Sequence, residues 1–72
     1  MSDRSVILDH ARFHAVRYVD EGDLPKAVAE FVGQCQVLRL DPPLHHASVS
    51  LAILLAEQGD EKGVEQWFEK QV

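Results

Sequence analysis

Residues Tyr18–Phe31 read Y-V-D-E-G-D-L-P-K-A-V-A-E-F, and Leu55–Phe68 answer them with L-A-E-Q-G-D-E-K-G-V-E-Q-W-F. In both phrases a Gly-Asp pair (Gly22-Asp23, Gly59-Asp60) precedes an apolar pair at the same spacing, Ala27 and Phe31 or Val64 and Phe68. Gly22 and Gly59 stand 37 positions apart, within the range where self-similarity marks stacked helical repeats. Glycine supplies the left-handed conformation in which helices end, and the aspartate behind it can cap the next helix. Each phrase therefore predicts a helix-turn-helix unit. The chain as a whole is predicted to be all-α, with four antiparallel helices.

Helix one is expected over about Ser5 to Asp20, with Ser2 or Ser5 as N-cap. Helix two is expected from Leu24 to about Arg39, with Pro25 in the first turn, where a missing amide hydrogen costs little. Its Leu24, Ala27, Val28, Phe31, Val32, Cys35 and Leu38 follow one buried stripe, with Lys26, Glu30 and Gly33 opposite. Asp41-Pro42-Pro43 is expected to end it, because proline lacks the donor and pushes its predecessor out of the α region. Helix three is expected over Leu44–Gln58 and helix four over Glu61–Gln71, the latter with a stripe of Val64, Trp67, Phe68 and then Gln71 or Val72. No linker divides the chain, so residues 1–72 are read as one domain with units at about 5–41 and 44–72.

Composition narrows the function classes. Of the 72 residues, 46% are apolar and one is a cysteine, so no internal disulfide staples this small core. Cys35 lies mid-stripe, where a reactive thiolate would find no electropositive neighbour. The formal net charge is −5. The seven basic residues are scattered, and Glu57, Asp60, Glu61, Glu65 and Glu69 crowd the C-terminal segment. A phosphate backbone would repel that segment, so nucleic acid is not an expected partner. The longest apolar run, Leu51–Ala56, falls far short of the roughly 20 residues of a membrane span. With no leader-like segment, a cytoplasmic location is expected. His10 and His14 share a zinc-compatible spacing, but no catalytic glutamate or further fixed ligand accompanies them. Asp20, Glu21 and Asp23 lack the alternating register of a calcium loop and read as turn and cap residues. The chain is therefore expected to be no enzyme and to hold no cofactor or metal.

Two helices carry more apolar residues than one face needs. On helix one, Ile7, Ala11, Ala15 and Tyr18 form a stripe, while Val6, Phe13, Val16 and Val19 lie on another side. On helix three, Leu44, Ala47, Leu51, Ala52 and Leu55 form a stripe, with Val49, Ile53 and Ala56 roughly opposite. A helix apolar on two sides is sandwiched or meets something outside the chain. If both second stripes face the same way they form a continuous apolar groove, the usual mark of an interaction surface.

These residues resemble the tetratricopeptide repeat. The resemblance lies in Ala15 and Tyr18, the Gly22-Asp23 turn, Ala27 and Phe31 with a proline closing the unit, and then in Ala52, Leu55, Gly59-Asp60, Val64 and Phe68. It covers the chain from about Leu8 onward. Ala11 and Ser48 stand where the family has a large aromatic, and the offset exceeds the family's usual length of about 34.

The resemblance implies protein–protein recognition on a face lined by the first helix of each unit. Carried over residue by residue, that lining is Asp9, Arg12, Phe13, Val16 and Val19, then His46, Val49, Ile53 and Ala56. The implied ligand is an amphipathic helix or an apolar peptide. Phe13, Val16, Val49 and Ile53 would be its anchors, with Arg12 and His46 as polar flanks. Two units leave apolar ends, and Trp67 and Phe68 are expected to lack cover, so a homodimer is anticipated. The alternatives are a structural homodimer using the same face, or an acidic inhibitor that occupies a basic site on a nucleic-acid enzyme.

Overall fold

The path of the chain is set by helix ends of one kind. The computed structural model describes residues 3–71 and contains four helices: α1 (Asp3–Asp20), α2 (Leu24–Val37), α3 (His46–Glu57) and α4 (Glu61–Gln71). After α1 the amide of Gly22 donates to the Val19 carbonyl (3.0 Å) and that of Asp23 to Tyr18 (2.9 Å). After α3, Gly59 donates to Ala56 (3.1 Å) and Asp60 to Leu55 (3.0 Å). Both glycines have positive φ, 80° and 72°, as this helix ending requires.

The two aspartates then cap α2 and α4. Asp23 Oδ1 accepts from the Lys26 amide at 3.2 Å, and Asp60 Oδ1 from the Gly63 amide at 2.9 Å. The second cap is the tighter one. A side chain at Gly63 would run into the Asp60 carboxylate. The repeated phrase is thus a repeated piece of hydrogen bonding.

The end of α2 has the same wiring without a glycine. Arg39 donates to Gln36 (3.1 Å) and Leu40 to Cys35 (2.9 Å), with Arg39 at φ 57°. The helix therefore stops at Val37, two residues before the expected end. Arg39 turns the chain ahead of Pro42 and Pro43. Asp41-Pro42 is a cis peptide, and the Arg4 guanidinium donates to the Pro42 carbonyl. Helix α3 begins at His46 rather than Leu44, because His45 is its N-cap and its Nδ1 accepts from the Ala47 amide at 3.1 Å.

One core draws on all four helices and on Leu40 in the connection. Helix α2 packs against the other three, whereas α1 and α3 make no contact with each other. Phe31 of α2 stacks on Phe68 (centroids 4.9 Å, planes 18° apart) and meets Trp67 edge-on at 5.3 Å. Trp67 and Phe68 are 4% and 1% exposed, which overturns the expectation that they lack cover. The Trp67 indole donates to Ser48 Oγ at 3.1 Å, so burial leaves its N–H satisfied.

Two stripes sit one position away from where spacing alone puts them. On α1 the buried line is Leu8, Ala11, Ala15 and Val19, with Ile7 and Tyr18 half-buried. This helix has to meet both α2 and α4, which widens its buried arc. On α3 the buried residues are Ala52 and Ala56, while Ala47 and Leu51 are exposed. Ser5 lies inside α1 and does not cap it, and the Ser2 and Val72 expectations fall outside the described residues. Among the described helices none is long and apolar enough to cross a membrane.

Candidate functional site

The expected lining residues divide into three groups. Val19 (1% exposed) and Ala56 (5%) belong to the core; Val19 is out of a ligand's reach, and Ala56 shows only an edge at the wall of the groove between α2 and α3. Each lies just before its helix's closing glycine, where the turn folds the last helical turn onto the neighbouring helix. The other seven remain accessible, but on two separate surfaces, because α1 and α3 do not touch. A groove with α1 as one wall and α3 as the other is not formed.

The first surface belongs to α1. Phe13 is 74% exposed, with Val6 and Val16 also outward on the same helix. Phe13 meets the edge of His14 (5.7 Å), and His14 meets His10 (4.5 Å). No cluster of three metal-ligating side chains is present among the described residues. Arg12 reaches toward Glu69 of α4 at 3.9 Å, an exposed pair of small energetic weight. Arg12, Val16, Glu65, Phe68 and Glu69 border a hollow of about 160 Å³ there.

The second surface is a groove between α2 and α3. One lobe, of about 340 Å³, is lined by Pro25, Val28, Ala29, Val32, Gly33, Gln36, Val49, Ile53, Ala56 and Glu57. The adjoining lobe, of about 460 Å³, shares Val32, Gln36 and Val49 and continues to Arg39, Leu40, Pro43, Leu44 and His46. Val32 and Val49 are half-buried and Ile53 is 46% exposed. Of the expected lining, His46, Val49 and Ile53 come together here, with the edge of the buried Ala56. The opposite wall is α2, not α1. Its Pro25, Ala29, Val32 and Gln36 follow a 4, 3, 4 spacing, a second stripe beside the buried one that was legible in the sequence.

Chemically the groove is an apolar channel with charges only near its ends: Glu57 at one, and Arg39, beside the imidazole of His46, at the other. Cys35 reaches its wall but is buried, and burial pushes its thiol above the ordinary value, away from a reactive thiolate. The arrangement offers contact area and end charges. It holds no paired acid and base. No family model matches the chain, and neither a curated protein nor a solved structure is found similar to it.

Proposed function

We propose that the chain is a small protein–protein interaction module, without catalytic activity, that captures the apolar side of a partner's amphipathic helix or an apolar peptide. The observation that carries this reading is the groove in which Val32, Val49 and Ile53 stay accessible although the chain has folded around them. Helix-in-groove recognition uses channels of this kind, with apolar anchors spaced at i, i+3 or i+4, and i+7. Each groove residue fully covered by a partner contributes about 1.5–3 kcal/mol. The tetratricopeptide-like reading of the fold is supported by the matching turns at Gly22-Asp23 and Gly59-Asp60.

The test is capture of partners from host lysate by the wild-type chain and by Ile53→Asp. We expect Ile53→Asp to lose capture with unchanged helicity by circular dichroism. Loss of helicity would place Ile53 in the core and end the reading.

Self-association is a second reading, favoured by the exposure of Phe13 beside Val6 and Val16 on α1. A solution mass of twice the chain, restored to one chain by Phe13→Asp, would support it. A monomer at all concentrations would count against it.

A further inference from the structure

The groove between α2 and α3 is charged only near its ends, Gln36 being the neutral polar side chain that the two lobes share, and the two ends carry opposite charge. Glu57 borders the lobe that also holds Pro25, and Arg39 and His46 border the lobe at the other end of α2. Between them lie Val28, Ala29, Val32, Val49 and Ile53. Pro25 and Arg39 are about three to four helical turns apart along α2, or about 20 Å at 1.5 Å per residue.

The residue at the basic end is not one that backbone geometry selects. Three helix ends in this chain share one hydrogen-bond pattern, and two of them place glycine at the left-handed position. The third places Arg39 there, at φ 57°. A side chain with a Cβ is disfavoured in that conformation, and strain of this kind collects where a side chain has a task. Of the three left-handed residues only Arg39 lines the groove; at the end of α3 it is Glu57, and not Gly59, that does so.

Resting on the reading of the groove as a helix-binding channel, we infer that its occupant is an amphipathic helix of one polarity, lying parallel to α2. Its first turn, rich in lysine or arginine, meets Glu57. Its last turn, rich in glutamate or aspartate, meets Arg39 and His46. The occupant's dipole adds to the preference, because its positive N-terminal end faces Glu57 and its negative C-terminal end faces Arg39. The apolar middle supplies affinity, and the end charges choose direction and partner.

The experiment uses the full chain and two synthetic peptides of about fourteen residues, blocked at both ends. Both carry leucine at i, i+3, i+4 and i+7. One has lysines in its first turn and glutamates in its last; the other has these exchanged. The exchanged peptide can make the same ion pairs only by lying antiparallel to α2, which turns its dipole against Glu57 and Arg39. We therefore expect the first to bind roughly fivefold tighter by titration calorimetry, the scale of two such dipole interactions. This peptide is intrinsically the poorer helix, since its end charges oppose its own dipole. A preference for it therefore cannot come from preorganisation.

Arg39→Gly, which keeps the helix ending, should reduce the preference, and Arg39→Gly with Glu57→Gln should abolish it. Ile53→Asp should abolish binding of both peptides. Equal affinity of the two peptides for the wild-type chain overturns the polarity inference and leaves the groove reading standing. If neither binds, or if binding survives Ile53→Asp, the groove reading falls and the inference falls with it.

Discussion

Phe31 and Phe68 occupy equivalent places in the two repeated phrases, and their rings stack on each other, with centroids 4.9 Å apart and planes 18° apart. The self-similarity of the chain is therefore joined at its centre. The same residue in each unit meets its own counterpart across α2 and α4, and Trp67 closes on the edge of Phe31 at 5.3 Å.

This pairing predicts energetic coupling. Phe31→Leu and Phe68→Leu should each destabilise the chain, and the double variant should lose less than the sum of the two. The shortfall should be about 0.5–1.5 kcal/mol, as measured for aromatic pairs beyond their buried area. Urea unfolding of the four proteins of the cycle measures it. Strict additivity would mean that the rings merely fill neighbouring space.

Ser48 tests the polar contact that burial of Trp67 requires. Its Oγ accepts from the indole N–H at 3.1 Å. Ser48→Ala leaves that buried donor without its partner, and the loss should be about 1–3 kcal/mol. Ser48→Thr, which retains the hydroxyl, should recover most of it. Unfolding followed by Trp67 fluorescence reads both, since this is the only tryptophan in the chain.

The turns were legible in the sequence because they depend on local chemistry. Gly-Asp specifies a left-handed residue followed by a cap, whatever packs around it. The stripes of α2 and α4 were legible for a related reason, since each presents one dominant apolar face, although Leu38, expected in the first, lies past the helix end and is exposed. Helices α1 and α3 were not legible, because residues such as Val16, Val19, Ile53 and Ala56 are apolar on several sides. Only the placement of neighbouring helices decides which of them is sealed. The candidate groove was half legible. His46, Val49 and Ile53 were identified from the surplus on α3, but their opposite wall depends on α3 lying against α2 and away from α1, which helical spacing does not encode. The end of α2 near Arg39 was legible from the prolines that follow, but its left-handed conformation was not, because the usual signal there is glycine.

The division of α1 between core and surface gives a direct contrast of neighbours. Val19 is sealed, whereas Phe13 is largely open. Val19→Ala removes buried methyl groups and should cost about 1–3 kcal/mol. Phe13→Ser should shift stability by no more than about 0.5 kcal/mol. Chemical denaturation of the two variants checks both. A large loss from Phe13→Ser in a monomeric protein would mean that its ring is packed.

Cys35 ties stability to pH. Burial raises its thiol pKa in the folded chain above the ordinary 9.0, with Arg4 opposing weakly. The folded state therefore holds the thiol proton more tightly than the unfolded state. This contribution is complete below pH 9 and is lost as the pH climbs through the unfolded and then the folded value. Between pH 8 and pH 10 the wild-type urea midpoint should fall further than that of Cys35→Ala. Alkylation of the native thiol at pH 8 should also be much slower than in urea. Equal pH dependence of the two proteins would show that the thiol is solvated in the folded chain.

Arg39 provides the sharpest separation of stability from recognition. Its left-handed conformation costs about 1–2 kcal/mol relative to a favoured backbone, and glycine would remove that cost while adding freedom to the unfolded chain. The balance predicts that Arg39→Gly stabilises the protein by about 0.5–1 kcal/mol. For a chain of this size, that raises the thermal midpoint by about 2–8 °C. Gly22→Ala and Gly59→Ala reverse the substitution at the two equivalent ends, where φ is 80° and 72°, and should lower the midpoint by a similar amount. Differential scanning calorimetry of the three variants reads the signs directly. If Arg39→Gly leaves the midpoint unchanged or lowers it, the arginine is not strained, and the case that it is retained for its side chain at the groove mouth loses its energetic half.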